Sequence, residues 1–177
     1  MLGVDDGKFV PHSGGTAMVV GVVFRGGCFF DGVMHTNVMI DGFDATEKIA
    51  AMINQSSHSK QLRLLMLNGV TFAGFNVVDI SKLSLATKLP VIAITDDKPN
   101  LDDIRSALKH LPNADERWQM VLAAGKIHEI PSKGKKIYVG IAGISLADAL
   151  EIIELTATRS SLPEPLRVAH LIASGTS

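Results

Sequence analysis

Thr16-Ala-Met-Val-Val-Gly-Val-Val-Phe-Arg25, then Gly26-Gly27, then Cys28-Phe-Phe-Asp-Gly-Val-Met-His-Thr-Asn-Val-Met-Ile40, is the stretch that decides the fold class of this 177-residue chain. Its first run is apolar almost without interruption and rich in valine, the composition of a buried strand. The second run alternates, with Val33, His35, Asn37 and Met39 on one side of the pleat. Two such runs joined by a glycine pair predict an antiparallel hairpin.

Before the hairpin, Met1 to Asp5 reads as a short strand. After it, Asp44-Ala-Thr-Glu47 has the spacing of a capping box, with Ile49, Met52 and Ile53 as the apolar stripe of the helix behind it. Leu62 to Leu67 is a second buried strand, ended by Asn68-Gly69. A Gly-containing loop, Val70 to Asn76, leads to a helix from about Val77 to Thr87, and Leu89 to Thr95 is the next strand. Asn100-Leu-Asp-Asp103 caps a helix with Ile104, Ala107 and Leu108 inward. Ala114 to Ala124 reads as a helix, Lys136 to Ile141 as a strand, and Ser145-Leu-Ala-Asp148 caps a helix through Leu155. Pro163 and Pro165 introduce a last short helix.

Strand-helix alternation implies parallel strands with crossover helices. An opening hairpin followed by such units is the order of a ribonuclease H-like fold, an α/β architecture with a mixed sheet and helices on both faces. No repeat, low-complexity run or linker divides the chain, so residues 1–177 are expected to form one domain. There is no Gly-x-Gly-x-x-Gly after a strand and no Gly-Lys-Ser/Thr, which argues against a dinucleotide or triphosphate cradle.

Hydrophobic residues make up 46% of the chain, yet no apolar run reaches the length of a membrane span. The start, Met1-Leu-Gly-Val-Asp-Asp6, has neither the basic nor the apolar region of a signal peptide, and a cytoplasmic location is expected. The lone cysteine, Cys28, fits a reducing compartment and reads as a small core residue. A formal net charge of −1 gives no overall attraction to polyanions, so any nucleic-acid contact must come from local patches. Lys133, Lys135 and Lys136 in one turn, and Arg159, Arg167 and His170 near the C-terminus, are the candidates. On charge alone the favoured reading of each cluster is a solvated face.

The polar clusters gather where strands end. Asp5 and Asp6 close the first strand, and because adjacent side chains point to opposite faces, at most one faces a given site. Asp5 is the preferred metal ligand, against the plain reading of both as turn-formers before Gly7. Asp44, at the end of the third strand, is a second candidate ligand as well as a helix cap. Magnesium takes hard oxygens and keeps waters, so one or two carboxylates plus a substrate phosphate suffice. The loop Asn68 to Asn76 carries two phenylalanines and two glycines after a buried strand, a position where ligand sites are built. Thr71, Phe72 and Asn76 are its candidates for stacking on and reading a base; the alternative caps a helix with Asn76 and buries both rings. Lys98, at the next strand end, is placed to meet phosphate or to sit in a solvated loop. His170 falls among apolar neighbours, as a core histidine or a site residue.

Five segments together, Leu2-Gly-Val-Asp-Asp-Gly7, Val19-Val-Gly-Val-Val-Phe-Arg-Gly26, Asp41-Gly-Phe-Asp-Ala-Thr-Glu-Lys48, Gly69-Val-Thr-Phe-Ala-Gly-Phe-Asn-Val-Val-Asp-Ile80 and Pro163-Glu-Pro-Leu-Arg-Val-Ala-His-Leu-Ile-Ala173, resemble an archaeal family called endonuclease dU. That resemblance implies cleavage of DNA at deoxyuridine. The chain is more distantly similar to endonuclease V, a ribonuclease H-like, metal-dependent enzyme that cuts near deaminated bases. Asp5 matches its first-strand metal aspartate, Asn68-Gly69 its Asp-Gly, and Leu162 to His170 its C-terminal Leu-Pro-Glu-Pro-Thr-Arg segment. Asn68 is a departure, an amide where endonuclease V has a carboxylate, which puts a two-metal arrangement in doubt. Asp6, Asp41 or Asp44 would have to compensate.

The resemblance therefore implies a Mg2+- or Mn2+-dependent DNA endonuclease acting at deoxyuridine in repair. Asp5, Asp6, Lys98 and His170 would be catalytic, Asn68, Thr71, Phe72 and Asn76 would bind substrate, and Asp5 and Asp44 would hold metal. The alternatives are a nucleic-acid binding protein with an incomplete metal centre, or a small-molecule enzyme using the Asn68 to Asn76 loop. Oligomeric state is left open.

Overall fold

The computed structural model describes all of residues 1–177. In chain order its strands are β1 (Leu2–Asp6), β2 (Thr16–Arg25), β3 (Phe29–Met39), β4 (Leu65–Asn68), β5 (Thr71–Phe72), β6 (Asn76–Val77), β7 (Val91–Thr95), β8 (His128–Ser132) and β9 (Lys135–Ala142). The helices are α1 (Ala45–Gln55), α2 (Ile80–Thr87), α3 (Leu101–Leu108), α4 (Ala114–Ala123), α5 (Leu146–Thr156) and α6 (Glu164–Thr176). Seven strands form one mixed sheet in the order β3-β2-β1-β4-β7-β9-β8, and β5 and β6 make a separate two-stranded hairpin. This is a ribonuclease H-like architecture.

The valine-rich run and its alternating partner form the expected hairpin, in register from Thr16↔Met39, with a bulge at Val23/Phe24. β1 pairs antiparallel with β2 and parallel with β4, and β4 pairs parallel with β7. The unbroken apolar character of β4 has a simple cause: successive residues serve two cores. Leu65 and Leu67 pack under α1 and α2, while Met66 joins Ile92, Ile94, Ala149, Ile153 and Leu166 under α5 and α6. Helices cover both faces, as the strand-helix order implied.

β5, β6 and β8 are strands that the sequence reading does not contain, and three of the elements it does contain differ from it. β9 runs antiparallel to β7, not parallel. The α3–α4 crossover returns the chain to β8, which runs in the same sense as β7, and the Lys133-Gly134 turn sends β9 back between them. The second helix begins at Ile80 rather than Val77, because Asn76-Val77 pairs with β5 and Asp79 takes the cap, accepting from the Lys82 N–H at 2.8 Å. The last helix is thirteen residues long rather than short.

The approach of α6 to β1 is the packing feature that positions the site. A Cβ on Gly3 would lie 2.3 Å from the Pro165 carbonyl, so glycine is required for the helix to lie this close. Leu166 then buries with Met66 of β4, Ala169 and Ala173 bury against Val20, Val22 and Phe24 of β2, and His170, one position from that stripe, comes to the end of β1. No helix is long and apolar enough to cross a membrane.

Candidate active site

Asp5 stands near the carboxyl end of β1 and is 2% exposed. Its Oδ2 accepts from the Asn68 amide at 3.0 Å and meets His170 Nδ1 at 2.9 Å, and its Oδ1 accepts from the Asp6 N–H at 2.9 Å. Parallel pairing explains the convergence. Val4 is in register with Leu67, so the ends of β1 and β4 lie side by side, and α6 crosses above them. Burial pushes the Asp5 carboxyl above its ordinary range, opposed by the hydrogen bonds from Asn68 and His170. The His170 ring is 60% exposed, and with Nδ1 engaged its Nε2 is left for solvent or a substrate.

Asp6 turns to the opposite face. Its Oδ2 accepts from the Ala73 N–H at 2.6 Å, and no cation is paired with it. Burial, with the neighbouring Asp5 charge adding to it, raises this carboxyl to about 6. It is thus a loop anchor rather than a neighbour of His170.

Asp44 does not join Asp5. Its Oδ1 accepts from the Met39 N–H at 3.0 Å and from the Asn76 amide at 2.7 Å, and it makes no side-chain cap for α1. The capping box fails because Glu47 pairs with Lys82 and the free N–H of Ala45 is taken by Asn76 Oδ1 at 3.0 Å. Asn76 is wholly buried, and its amide joins α1, the end of β3 and its own hairpin. Phe72 is equally buried, in the larger core. Both therefore support the loop from within and present no surface to a base. The same amide caps a helix, but a different one from that expected.

Thr71 and Lys98 do share a space. A cavity of about 470 Å³ opens beyond the ends of β4 and β7, and Gly69, Thr71, Thr95, Lys98, Tyr138 and Gly140 are among its lining residues. It begins one residue from Asn68 and is walled on its far side by α3 and the end of α4.

Arg117, in α4, carried no signal in the sequence and organises this end of the molecule. The residue is 2% exposed, and its guanidinium donates to the carbonyls of Pro112, Asp41, Gly42 and Phe75, with the Phe43 ring centroid 4.0 Å away. Asp41 is the second organiser of this end. Its carboxylate meets His12 Nδ1 at 2.8 Å and accepts from the Phe75 N–H at 2.9 Å, in a residue whose own φ is +51°. Of the basic clusters, Lys136 is paired with Glu129 and Arg167 with Glu164. Cys28 lies exposed in the hairpin turn rather than in the core.

No three His, Cys, Asp or Glu side chains gather closely enough to hold a metal by themselves. The donor set at Asp5 is one carboxylate, one amide and one imidazole. It fits a single hard cation that completes its shell with water and phosphate oxygens, and it does not fit a pair of ions held by protein carboxylates.

The endonuclease dU family matches this chain over residues 1–177. The chain belongs to that family. Relatives include a UPF0215 protein of Methanothermobacter thermautotrophicus, 50% identical over 99% of this chain and 86% of its own length. A crystal structure from Archaeoglobus fulgidus, described as a protein of unknown function, superimposes with a TM-score of 0.88 at 35% identity, covering 99% of this chain and 96% of that one. Endonuclease V of Ciona intestinalis, solved with DNA containing an inosine, superimposes with a TM-score of 0.60 at 15% identity, covering 95% and 81% of the two chains. At that identity the likeness concerns the fold. A nuclease family and an endonuclease V-like fold thus meet in one chain.

Proposed function

We propose that residues 1–177 act as one divalent-metal-dependent endonuclease unit that cleaves DNA at deoxyuridine, the product of cytosine deamination. The observation that carries this reading is the convergence of Asn68 and His170 on the buried Oδ2 of Asp5, at a strand end beside a cavity large enough for a base. Asp5 and the amide oxygen of Asn68 would hold Mg2+ or Mn2+, which supplies charge neutralisation at the scissile phosphate and acidifies a water.

The chain's own residues do the rest. Asn68 and His170 fix the Asp5 carboxylate in one orientation. His170, held through Nδ1, takes the proton of the attacking water at Nε2 while the new P–O bond forms. The old P–O bond breaks, and the departing oxygen is protonated from solvent. Lys98 at the cavity rim contacts a flanking phosphate. The cavity receives the extruded base, with Thr71 and Tyr138 on its wall and Phe72 and Asn76 holding the loop behind it. Extruding uracil opposite guanine costs less than extruding a correctly paired base, which supplies part of the selectivity. A cytoplasmic location suits this role.

The test is cleavage of a labelled duplex carrying one deoxyuridine, with thymidine and deoxyinosine duplexes as controls. Metal-dependent cutting of the uracil strand is expected, lost in Asp5→Ala. Full cleavage by Asp5→Ala would end the proposal. One observation favours a second reading, a non-catalytic binder: both oxygens of Asp5 already have protein partners, and a neutral amide stands where a second carboxylate would complete a metal centre. Uracil-dependent binding without cutting in any divalent metal would favour it.

A further inference from the structure

Sheet order sets the sequence in which side chains at the active-site end meet a bound strand. β1, β4 and β7 are parallel, β2 runs against β1 and β3 against β2, so Met39, Thr16, Asp6, Asn68 and Thr95 end or begin their strands in one row. Asp5 and Asn68 lie in the middle of that row, and the cavity opens to one side of them, beyond β4 and β7. To the other side, two residues past β3, stands Asp41 with His12 on its carboxylate.

Asp41 is fixed at every polar group but one. Its N–H donates to the Ala73 carbonyl at 2.8 Å, its carbonyl accepts from Arg117, and its Oδ1 accepts from the Phe75 N–H. A Cβ on Gly74 would lie 2.3 Å from that Oδ1, so the β5–β6 hairpin passes this close only as glycine. Oδ2 remains, and it meets His12 Nδ1. The carboxylate is 11% exposed and the imidazole 62%. His12, Asp41 and Ala73 have φ of +58°, +51° and +45°, three non-glycine residues in the left-handed region at one place, a cost that persists only where the surroundings impose it. Tying the loop down would require Nδ1 alone; the ring stays open to solvent with Nε2 unengaged.

We infer that His12 contacts a phosphate of the DNA strand on the side of the scissile bond away from the extruded base, an inference that rests on the nuclease reading above. With Nδ1 donating to Asp41, the ring meets a phosphate through Nε2 as the imidazolium, one N–H toward each anion. β3 lies two strand spacings from β1, about 10 Å, which is roughly three nucleotides along one strand of a duplex. Lys98, at the cavity rim, and His12 thus hold the strand on opposite flanks of Asp5. Two such contacts set the register of the strand over the metal site and carry no sequence information themselves.

Fluorescence anisotropy of the full chain with a labelled duplex carrying one deoxyuridine, in Ca2+, reads the contact. His12→Ala is expected to bind about ten-fold more weakly than the wild type. A neutral methylphosphonate is then placed at each position of the lesion strand in turn. It should cost the wild type the same factor at one position, farther from the deoxyuridine than the cut, and cost His12→Ala nothing further there. His12→Ala binding as tightly as the wild type would overturn the inference. So would a scan that weakens both proteins alike at every position, which makes His12 a tie for its own loop, or a sensitive position on the deoxyuridine side of the cut. Cleavage by the wild type, scored separately in Mg2+ and Mn2+, keeps the two readings apart. A position-specific loss without cutting retains the phosphate contact and ends the nuclease reading, whereas cutting with a flat scan does the reverse. A wild type that does not bind the duplex ends both.

Discussion

Asp5 and Asp6 are adjacent in sequence and opposite in role. On the α6 side, Asp5 is engaged by an amide and an imidazole, side chains able to orient a ligand or move a proton. On the other side, Asp6 is engaged by the backbone N–H of Ala73 and fixes the β5–β6 hairpin. The pleat of β1 divides chemistry from support within one dipeptide. A pair of carboxylates in a sequence is therefore no evidence of a pair of ligands; the residues that cross to each face decide.

The comparison can be broken at four points. Asp5→Ala is expected to lower cleavage by about 10³-fold or more while the circular dichroism spectrum stays that of the wild type, because it removes the one carboxylate on the chemical face. His170→Ala should lower single-turnover cleavage by about 10²-fold while the circular dichroism spectrum stays that of the wild type. On the supporting side, Asn76→Ala should destabilise the fold by about 2–4 kcal/mol in urea denaturation, since it leaves the Ala45 N–H, the Met39 carbonyl and Asp44 without their buried partner.

Asp6→Asn gives the smallest effect and the sharpest sign. The folded carboxyl titrates at about 6 against an ordinary 3.8, so the folded state holds its proton more tightly than the unfolded chain does. Its contribution is complete below about pH 3.8 and is lost as pH rises through about 6. The neutral amide escapes that loss. Asp6→Asn should thus gain about 1–2 kcal/mol over the wild type between pH 4 and pH 7 and stay level above it, read from Tm as a function of pH. A gap that shrinks over that range would show that Asp6 is stabilised as an anion.

The hairpin and the strand-helix alternation that follows it were legible because long apolar and alternating runs announce themselves locally. β8 was not, since Ile127-His-Glu-Ile-Pro-Ser132 is short, polar and interrupted by Pro131, and its strand character comes from pairing with β9. That omission is also why β9 was given the wrong sense. Helix caps made by the residue at the N-cap itself were read correctly at Asn100 and Ser145. The cap of α1 was misassigned because it comes from Asn76, thirty-one residues away.

The same distinction governs the site. Asp5, Asn68 and His170 are separated by 63 and 165 residues in their hydrogen bonds, and only the resemblance to known families grouped them before the fold did. Asp44 looked like a ligand because it follows a strand, yet its partners are Met39 and Asn76. Arg117 carried no pattern at all, because its importance lies in four carbonyls and one ring brought to it by tertiary structure.

Strand cleavage under single-turnover conditions tests the central claim most directly. The substrates are a duplex with deoxyuridine opposite guanine and its thymidine counterpart, each in Mg2+, in Mn2+ and in EDTA. The account predicts cutting of the uracil strand in metal, none in EDTA and none at thymidine. Retained binding to the uracil duplex with no cutting in either metal would contradict it and leave the Asp5–Asn68–His170 cluster as part of a reader rather than a nuclease.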